Sequence, residues 1–100
     1  MTLPILGLGG SGVISVAANI LPGPMIRMFN AVQEGDFETA RTIHFELSPL
    51  FRAMFIESNP IPIKKATELK GMAAGPVRLP LDEASDDTRE KLREVLSHYD

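Results

Sequence analysis

The sequence contains no cysteine, which excludes a disulfide framework and any thiolate-bound metal site and is typical of a cytosolic protein. It also lacks an excess of positive charge: 10 Lys and Arg stand against 13 Asp and Glu, for a net charge of −3. Nucleic-acid binding depends on a basic surface that neutralises phosphates. We therefore expect no nucleic-acid partner.

Charge of either sign is absent from residues 1–26, and the first charged residue is Arg27. A membrane span needs about 20 unbroken apolar residues, but three prolines and five glycines interrupt this stretch. A signal peptide would begin with a positively charged region, which is also absent. We expect no membrane partner. An uncharged segment with little alternation is typical of a strand in a parallel α/β sheet, which helices cover on both faces.

The length of 100 residues and the hydrophobic fraction of 44% leave room for a single small domain with one modest core. Apolar residues at intervals of three or four predict a mostly helical chain. Helices are expected from about Pro24 to Gln33, where Gly35 follows, and from about Phe37 to Ile56 with Pro49 inside it. A third helix is expected from Asn59–Pro60, where Asn59 can cap, to Gly71, and a fourth after Ser85. The apolar positions are Phe37, Ala40, Ile43, Leu47, Leu50, Phe51, Met54 and Phe55 in the second of these helices and Leu92, Val95, Leu96 and Tyr99 in the last. Residues 2–8 resemble the end of another helix that Gly9 and Gly10 terminate.

The β-branched run Gly12–Ala17 predicts one central strand, and this creates a problem for a self-contained fold. A lone buried strand has no ladder partners, and each unpaired buried backbone group costs about 1–3 kcal/mol. The sequence therefore indicates that the strand pairs with a sheet outside this chain, as in the C-terminal piece of a larger α/β protein.

The run Gly7–Gly12 matches the dinucleotide fingerprint G-x-G-x-x-G, and Glu34 follows about twenty residues later, as a ribose ligand does. That mechanism requires a strand, then the glycines, then a helix N-terminus facing the pyrophosphate. Here a helical stretch precedes the glycines and a strand follows them, which favours a simple turn. A dinucleotide-binding module stays open as an alternative. So does a non-catalytic assembly module formed by residues 37–100.

The titratable residues predict no catalytic group in this chain. His44 and His98 lie far apart in sequence, which favours a satisfied interfacial role for His44 over metal binding. Ser85 with Asp86 and Asp87 indicates a helix cap rather than a cation site. A Schiff-base lysine must be unprotonated near neutral pH, and nothing in the sequence favours burial of any of the four lysines, which are Lys64, Lys65, Lys70 and Lys91.

Four blocks together resemble a known family: Leu8–Asn19, Glu34–Phe37, Phe55–Lys64 (F-I-E-S-N-P-I-P-I-K) and Arg78–Leu81. They resemble the C-terminal third of the dihydrodipicolinate synthases, in the pyruvate-dependent class I aldolase family that also contains N-acetylneuraminate lyase. The resemblance covers essentially all 100 residues in the same order and spacing.

The fold that the resemblance implies is α/β, a (β/α)8 TIM barrel followed by an appended helical segment. Residues 1–36 would form the last βα unit of the barrel, with the seventh helix ending in the first nine residues, the eighth strand at Val13–Val16 and the eighth helix at Pro24–Gln33. Residues 37–100 would form the appended helices, so the chain itself would be mostly α.

The implied function is a lyase that condenses pyruvate with aspartate semialdehyde through a lysine Schiff base, in lysine and diaminopimelate biosynthesis. The resemblance places the catalytic lysine and tyrosine upstream of Met1, so this chain alone is expected to be inactive. It implies no cofactor and no metal, a cytoplasmic homotetramer, and one substrate-binding residue here, Ile14, whose main chain would lie against the keto acid. A sister aldolase of the N-acetylneuraminate lyase or keto-deoxy-sugar-acid type is the alternative.

Overall fold

The computed structural model describes residues 1–99, and regular structure in this range is helical throughout. Within these 99 residues a single 3₁₀ turn, Ala17–Asn19, lies between the first two of five α-helices. The α-helices are α1 (Thr2–Gly7), α2 (Pro22–Gln33), α3 (Phe37–Ala53), α4 (Ile61–Leu69) and α5 (Asp86–Leu96).

Helices α1, α2 and α4 end in the same way, at a glycine with positive φ. Gly9, Gly35 and Gly71 have φ of 93°, 78° and 82°, in the left-handed region that favours glycine. The next amide then reaches back into the last helical turn. These bonds join Gly10 N to Ile5 O (2.9 Å), Asp36 N to Ala31 O (2.8 Å) and Met72 N to Thr67 O (2.9 Å). The glycines expected to end these helices therefore do so, through the Schellman arrangement.

The chain divides into two compact units, residues 1–48 and the part from Pro49 onwards. In the first unit α1 packs against α2, and α2 packs against the 3₁₀ turn. The buried side chains of this unit come from every helical element in it: Leu6, Ala17, Ile20, Leu21, Met25, Met28, Ala31, Ala40, Ile43 and Leu47.

The second unit is built on the packing of α4 against α5. Leu92 and Leu96 of α5 are buried as the periodicity predicts, while Val95 and Tyr99 of the same predicted stripe are half-buried. Further buried apolar residues are Leu50, Ala53, Met54, Ile61, Pro62, Ile63 and Ala66. Apolar surface of this kind stabilises the unit by about 25 cal/mol for each Å² removed from water.

The strand expected at Val13–Val16 is not formed in this chain. Residues 10–15 have no regular secondary structure, and Val16 has helical angles (φ −62°, ψ −48°) at the start of the 3₁₀ turn. A β-strand is defined by ladder hydrogen bonds to a neighbour. None of residues 1–99 supplies such a neighbour, because none of them is in a strand.

Several predicted helix boundaries were also wrong. Helix α2 begins at Pro22, two residues before the predicted start at Pro24, since a proline is tolerated in the first turn. Helix α3 continues through Pro49 but stops at Ala53, short of Ile56. The N-cap of α4 is Pro60, and no side chain accepts a capping bond there, so Asn59 is not the cap.

Two residues of the apolar pattern assigned to α3 lie at the surface. Phe37 is 45% exposed and Phe55 is 64% exposed. Phe37 is the first residue of α3 and Phe55 lies two residues beyond its end. Neither therefore continues the buried stripe of α3, in which Ala40, Ile43 and Leu47 recur at helical spacing.

Candidate functional site

The expected substrate-binding residue, Ile14, lies in the irregular segment 10–16 between α1 and the 3₁₀ turn. Its side chain is fully exposed, and that of Val13 beside it is about half exposed. Exposed large apolar residues are common singly. Val13 and Ile14 together place two adjacent β-branched side chains at the surface on irregular backbone.

Both ends of segment 10–16 are held in place. A Cβ added at Gly10 would lie 2.7 Å from Ile5 Cγ2 and 2.8 Å from Ile5 O, so only glycine fits against α1 there. At the other end Ser15 Oγ accepts a hydrogen bond from the Ala18 amide at 3.2 Å, and Asn19 Nδ2 donates to Val16 O at 3.1 Å. The segment is thus anchored at its ends and open in the middle, where it can present backbone groups of residues 11–14 to a partner or ligand.

The glycine run has the geometry of a helix end and not of a phosphate cradle. Gly9 and Gly10 close α1, and the structure after them is irregular instead of a helix N-terminus. Glu34 is the C-cap residue of α2. The residues that a dinucleotide site would bring together therefore serve two separate helix ends, and the turn interpretation holds.

Two of the lysines are held in the charged form. Lys65 Nζ lies 2.7 Å from Glu68 Oε2 and 3.1 Å from Glu83 Oε2, and hydrogen bonding to Glu68 and then Glu83 raises the lysine's pKa. The pKa of Lys91 is raised by its hydrogen bond with Asp87. A Schiff-base nucleophile needs the opposite shift. The two amines are therefore unsuited to that chemistry.

The remaining candidates have structural positions. Lys70 Nζ donates to the Tyr99 carbonyl at 2.9 Å, and Lys64 is half-buried in the first turns of α4. His44 is half-buried on α3, with its ring 5.4 Å from that of Phe45, and burial lowers its pKa. His98 is exposed beyond the end of α5.

Within residues 1–99 no group of three or more His, Asp and Glu side chains is placed to hold a metal ion.

Ser85 is the N-cap of α5: its Oγ accepts from the Thr88 amide at 3.2 Å, as expected. The helix-cap interpretation of Ser85–Asp87 is therefore confirmed by geometry.

Two carboxylates, Asp36 and Glu57, have defined hydrogen-bond partners in the structure that the sequence motifs above do not indicate. Asp36 Oδ1 accepts from the Thr39 amide at 3.0 Å, and hydrogen bonds from the Thr39 side chain and backbone lower the pKa of Asp36. The spacing Asp36-x-x-Thr39 after Gly35 is a local capping signal that could have been found. Glu57 Oε2 accepts from the Ser85 amide at 3.1 Å. That partner is 28 residues away, so no local pattern indicates it.

The profile of the dihydrodipicolinate synthetase family matches residues 1–99. The chain belongs to this family. It is 73% identical over 100 residues to the 4-hydroxy-tetrahydrodipicolinate synthase of Methanospirillum hungatei and 61% identical over 99 residues to that of Methanoculleus marisnigri. The chain covers 34% of the length of each. It thus spans about a third of these curated family members.

Solved structures of the family agree with this coverage. The crystal structure of dihydrodipicolinate synthase from Aquifex aeolicus superposes with a TM-score of 0.93 at 49% identity, over 97% of this chain and 33% of that one. The Thermotoga maritima enzyme gives a TM-score of 0.92 at 43% identity. At this similarity the helical arrangement described above is that of the corresponding third of the family fold.

Across residues 1–99, every helix is too short or too polar to span a bilayer.

Proposed function

We propose that this chain is the C-terminal third of a lyase that condenses pyruvate with aspartate semialdehyde through a lysine Schiff base. The observation that carries the proposal is the family match over residues 1–99, combined with relatives that are named 4-hydroxy-tetrahydrodipicolinate synthase and are about three times as long. The chain would act in lysine and diaminopimelate biosynthesis, in the cytoplasm, as part of a homo-oligomer, with pyruvate and aspartate semialdehyde as substrates.

The lysine chemistry supports a nucleophile outside this chain. Schiff-base formation needs a neutral amine to add to the keto carbon of pyruvate, after which water leaves. Lys65 and Lys91 are paired with carboxylates that raise their pKa. The family resemblance assigns the catalytic lysine and tyrosine to the part of the enzyme upstream of Met1 and implies no metal or cofactor, and the pairing of these two lysines supports that assignment.

Segment 10–16 supplies the contact with the barrel and the substrate. We assign Val13–Val16 as the eighth barrel strand, which forms when the first and seventh strands are present to complete the ladder. The exposure of Val13 and Ile14 and the absence of a partner strand within residues 1–99 support this assignment. Ile14 would then lie at the C-terminal face of the barrel, where active sites of this fold form, with its main chain against the keto acid.

The domain boundary follows from the same assignment. Residues 1–36 would be the last βα unit of the barrel and residues 37–100 the appended helical segment. The two alternatives are a sister aldolase and a non-catalytic helical module. The burial of Leu50, Met54 and Leu92 within the second unit is the observation that favours the helical module.

The test joins the upstream two-thirds of the Methanospirillum hungatei enzyme to residues 1–100 and compares this chimera with the chain alone. Both are treated with pyruvate and borohydride and analysed by intact mass spectrometry. We expect one reduced pyruvate adduct on the chimera, mapped upstream of Met1, and none on the chain alone. An adduct on Lys64 or Lys65 of the isolated chain would refute the proposal.

The choice of upstream part separates the enzyme classes. We expect residues 1–100 to support condensation of pyruvate with aspartate semialdehyde when joined to the upstream part of the Methanospirillum hungatei enzyme, but to give no activity when joined to the upstream part of an N-acetylneuraminate lyase. A sister lyase would show the reverse. A Methanospirillum hungatei chimera that folds and oligomerises but forms no adduct would favour the non-catalytic helical module.

A further inference from the structure

The connection between α4 and α5 contains a segment, residues 72–85, that we call the strap. It has no helix or strand, and none of its side chains is buried. One turn lies in it, closed by a hydrogen bond from the Leu81 amide to the Arg78 carbonyl at 3.0 Å. Segments with few buried apolar contacts open at low free energy while the rest of a domain stays folded.

Two polar contacts fasten the strap near its C-terminal end. Glu83 Oε2 lies 3.1 Å from Lys65 Nζ on α4. The Ser85 amide donates to Glu57 Oε2 at 3.1 Å, and Glu57 lies before α4 in the chain. Val77 and Ala84 of the strap are half-buried, and charged groups supply the polar contacts that join the strap to the α4 region.

Lys65 differs from an ordinary surface lysine. Its side chain is only 10% exposed, while that of Lys91, which pairs with Asp87 at 2.9 Å, is 57% exposed. A cavity of about 10 Å³ lies between α4 and the strap, bordered by Lys65, Glu83, Gly75 and Val77. Such a space holds one water at most, so the strap lies closely over α4 at this point. A covered ammonium group is costly unless it is paired, and Lys65 is paired on both sides.

We propose that the strap opens as a unit while α4 and α5 remain folded, and that Lys65 is the latch that sets how often it opens. Helices α4 and α5 pack directly against each other, and residues of these helices outside the strap, such as Ala66, Leu92 and Leu96, are buried. The latch is a conformational device of the second unit and does not require the proposed catalytic function.

Limited trypsin digestion measures the opening directly. The bond after Arg78 is a tryptic site inside the strap, in the turn that the Leu81 amide closes. A protease needs an extended chain, so the cleavage rate follows the population of the open form when opening is fast. The readout is the mass of the fragments cut between Arg78 and Leu79, and far-UV circular dichroism checks that each variant is folded.

We expect Lys65→Met to raise the rate of cleavage after Arg78 about 5-fold. Lys91→Met is the matched control, since it removes an exposed ion pair on α5, and its rate should stay within about 1.5-fold of the wild type. Glu83→Gln should also raise the cleavage rate. The double variant Lys65→Met/Glu83→Gln should be cleaved only slightly faster than Lys65→Met, because both substitutions remove the same Lys65–Glu83 contact.

Raising the salt concentration from about 0.02 M to about 0.5 M should accelerate cleavage of the wild type more than that of Glu83→Gln, since salt screens the exposed carboxylate. If Lys65→Met does not fold, Glu83→Gln and this salt comparison still decide the matter. Equal rates for Glu83→Gln and wild type would overturn the proposal. So would parallel acceleration at Arg89, Lys91 and Arg93, because α5 would then be unfolding together with the strap.

Discussion

Glu57 is a residue whose role depends on a partner distant in sequence. It belongs to the block Phe55–Lys64 that resembles the family, yet nothing in that block indicates which group binds its carboxylate. In the structure its carboxylate accepts from the Ser85 amide, 28 residues later. The spacing of Asp36 and Thr39 carries a local capping signal that a sequence can reveal, whereas the Glu57–Ser85 contact depends on how the chain brings the segments before α4 and α5 together.

The pKa of Glu57 predicts an acid-dependent loss of stability. Hydrogen bonds from the Thr88 side chain and then from the Ser85 backbone lower this pKa below its usual value of 4.5. A carboxyl whose folded pKa is depressed stabilises the fold fully above its unfolded pKa, and this stabilisation is lost as the pH falls through the folded value. We expect Glu57→Gln to be less stable than wild type at about pH 7, with the difference shrinking below about pH 4.5.

Urea denaturation of the two proteins across this pH range measures the difference in unfolding free energy. Glu90→Gln is the control, because Glu90 makes only an exposed pair with Arg93 at 3.6 Å. Its effect should be small throughout. A Glu57→Gln difference that stays constant from about pH 7 to about pH 3 would contradict the assigned role of the carboxylate.

At the scale of the elements, helix ends with a local signal were predictable. Gly9, Gly35 and Gly71 end their helices because a left-handed residue is needed there, and Ser85 begins α5 because its hydroxyl accepts from the Thr88 amide. The start of α4 was not predictable in the same way. Asparagine is a residue type that often caps helices, but the N-cap of α4 is Pro60, one residue after Asn59.

This contrast predicts different costs for two similar substitutions. Ser85→Ala removes the capping acceptor of α5 and should reduce the unfolding free energy by about 0.5–2 kcal/mol. Asn59→Ala removes no capping bond of α4 and should cost much less. Chemical denaturation of both variants under one condition checks the order. A larger loss for Asn59→Ala would show that the Asn59 side chain makes a stabilising interaction elsewhere.

At the scale of the whole molecule, the sequence predicts the helical part of the fold. The strand at Val13–Val16 cannot be tested with this chain alone. Apolar periodicity is a property of each helix, so α5 and most of α3 follow from the sequence. A strand depends on neighbours, and residues 1–99 include none for Val13–Val16. The family, which the profile match confirms, is indicated by motif blocks in the sequence and not by periodicity.

Hydrogen exchange can test whether residues 13–16 form a strand when the neighbouring strands are present. In the isolated chain the amides of residues 11–14 should exchange rapidly, because this segment is irregular and exposed. In the chimera with the upstream two-thirds of the Methanospirillum hungatei enzyme, ladder bonds to the first and seventh strands should slow exchange across residues 13–16 by at least about tenfold. The amides of α5 provide the internal reference, since their protection comes from the second unit and should change little. Slow exchange at residues 13–16 in an isolated chain that is monomeric by size-exclusion chromatography would contradict the strand assignment.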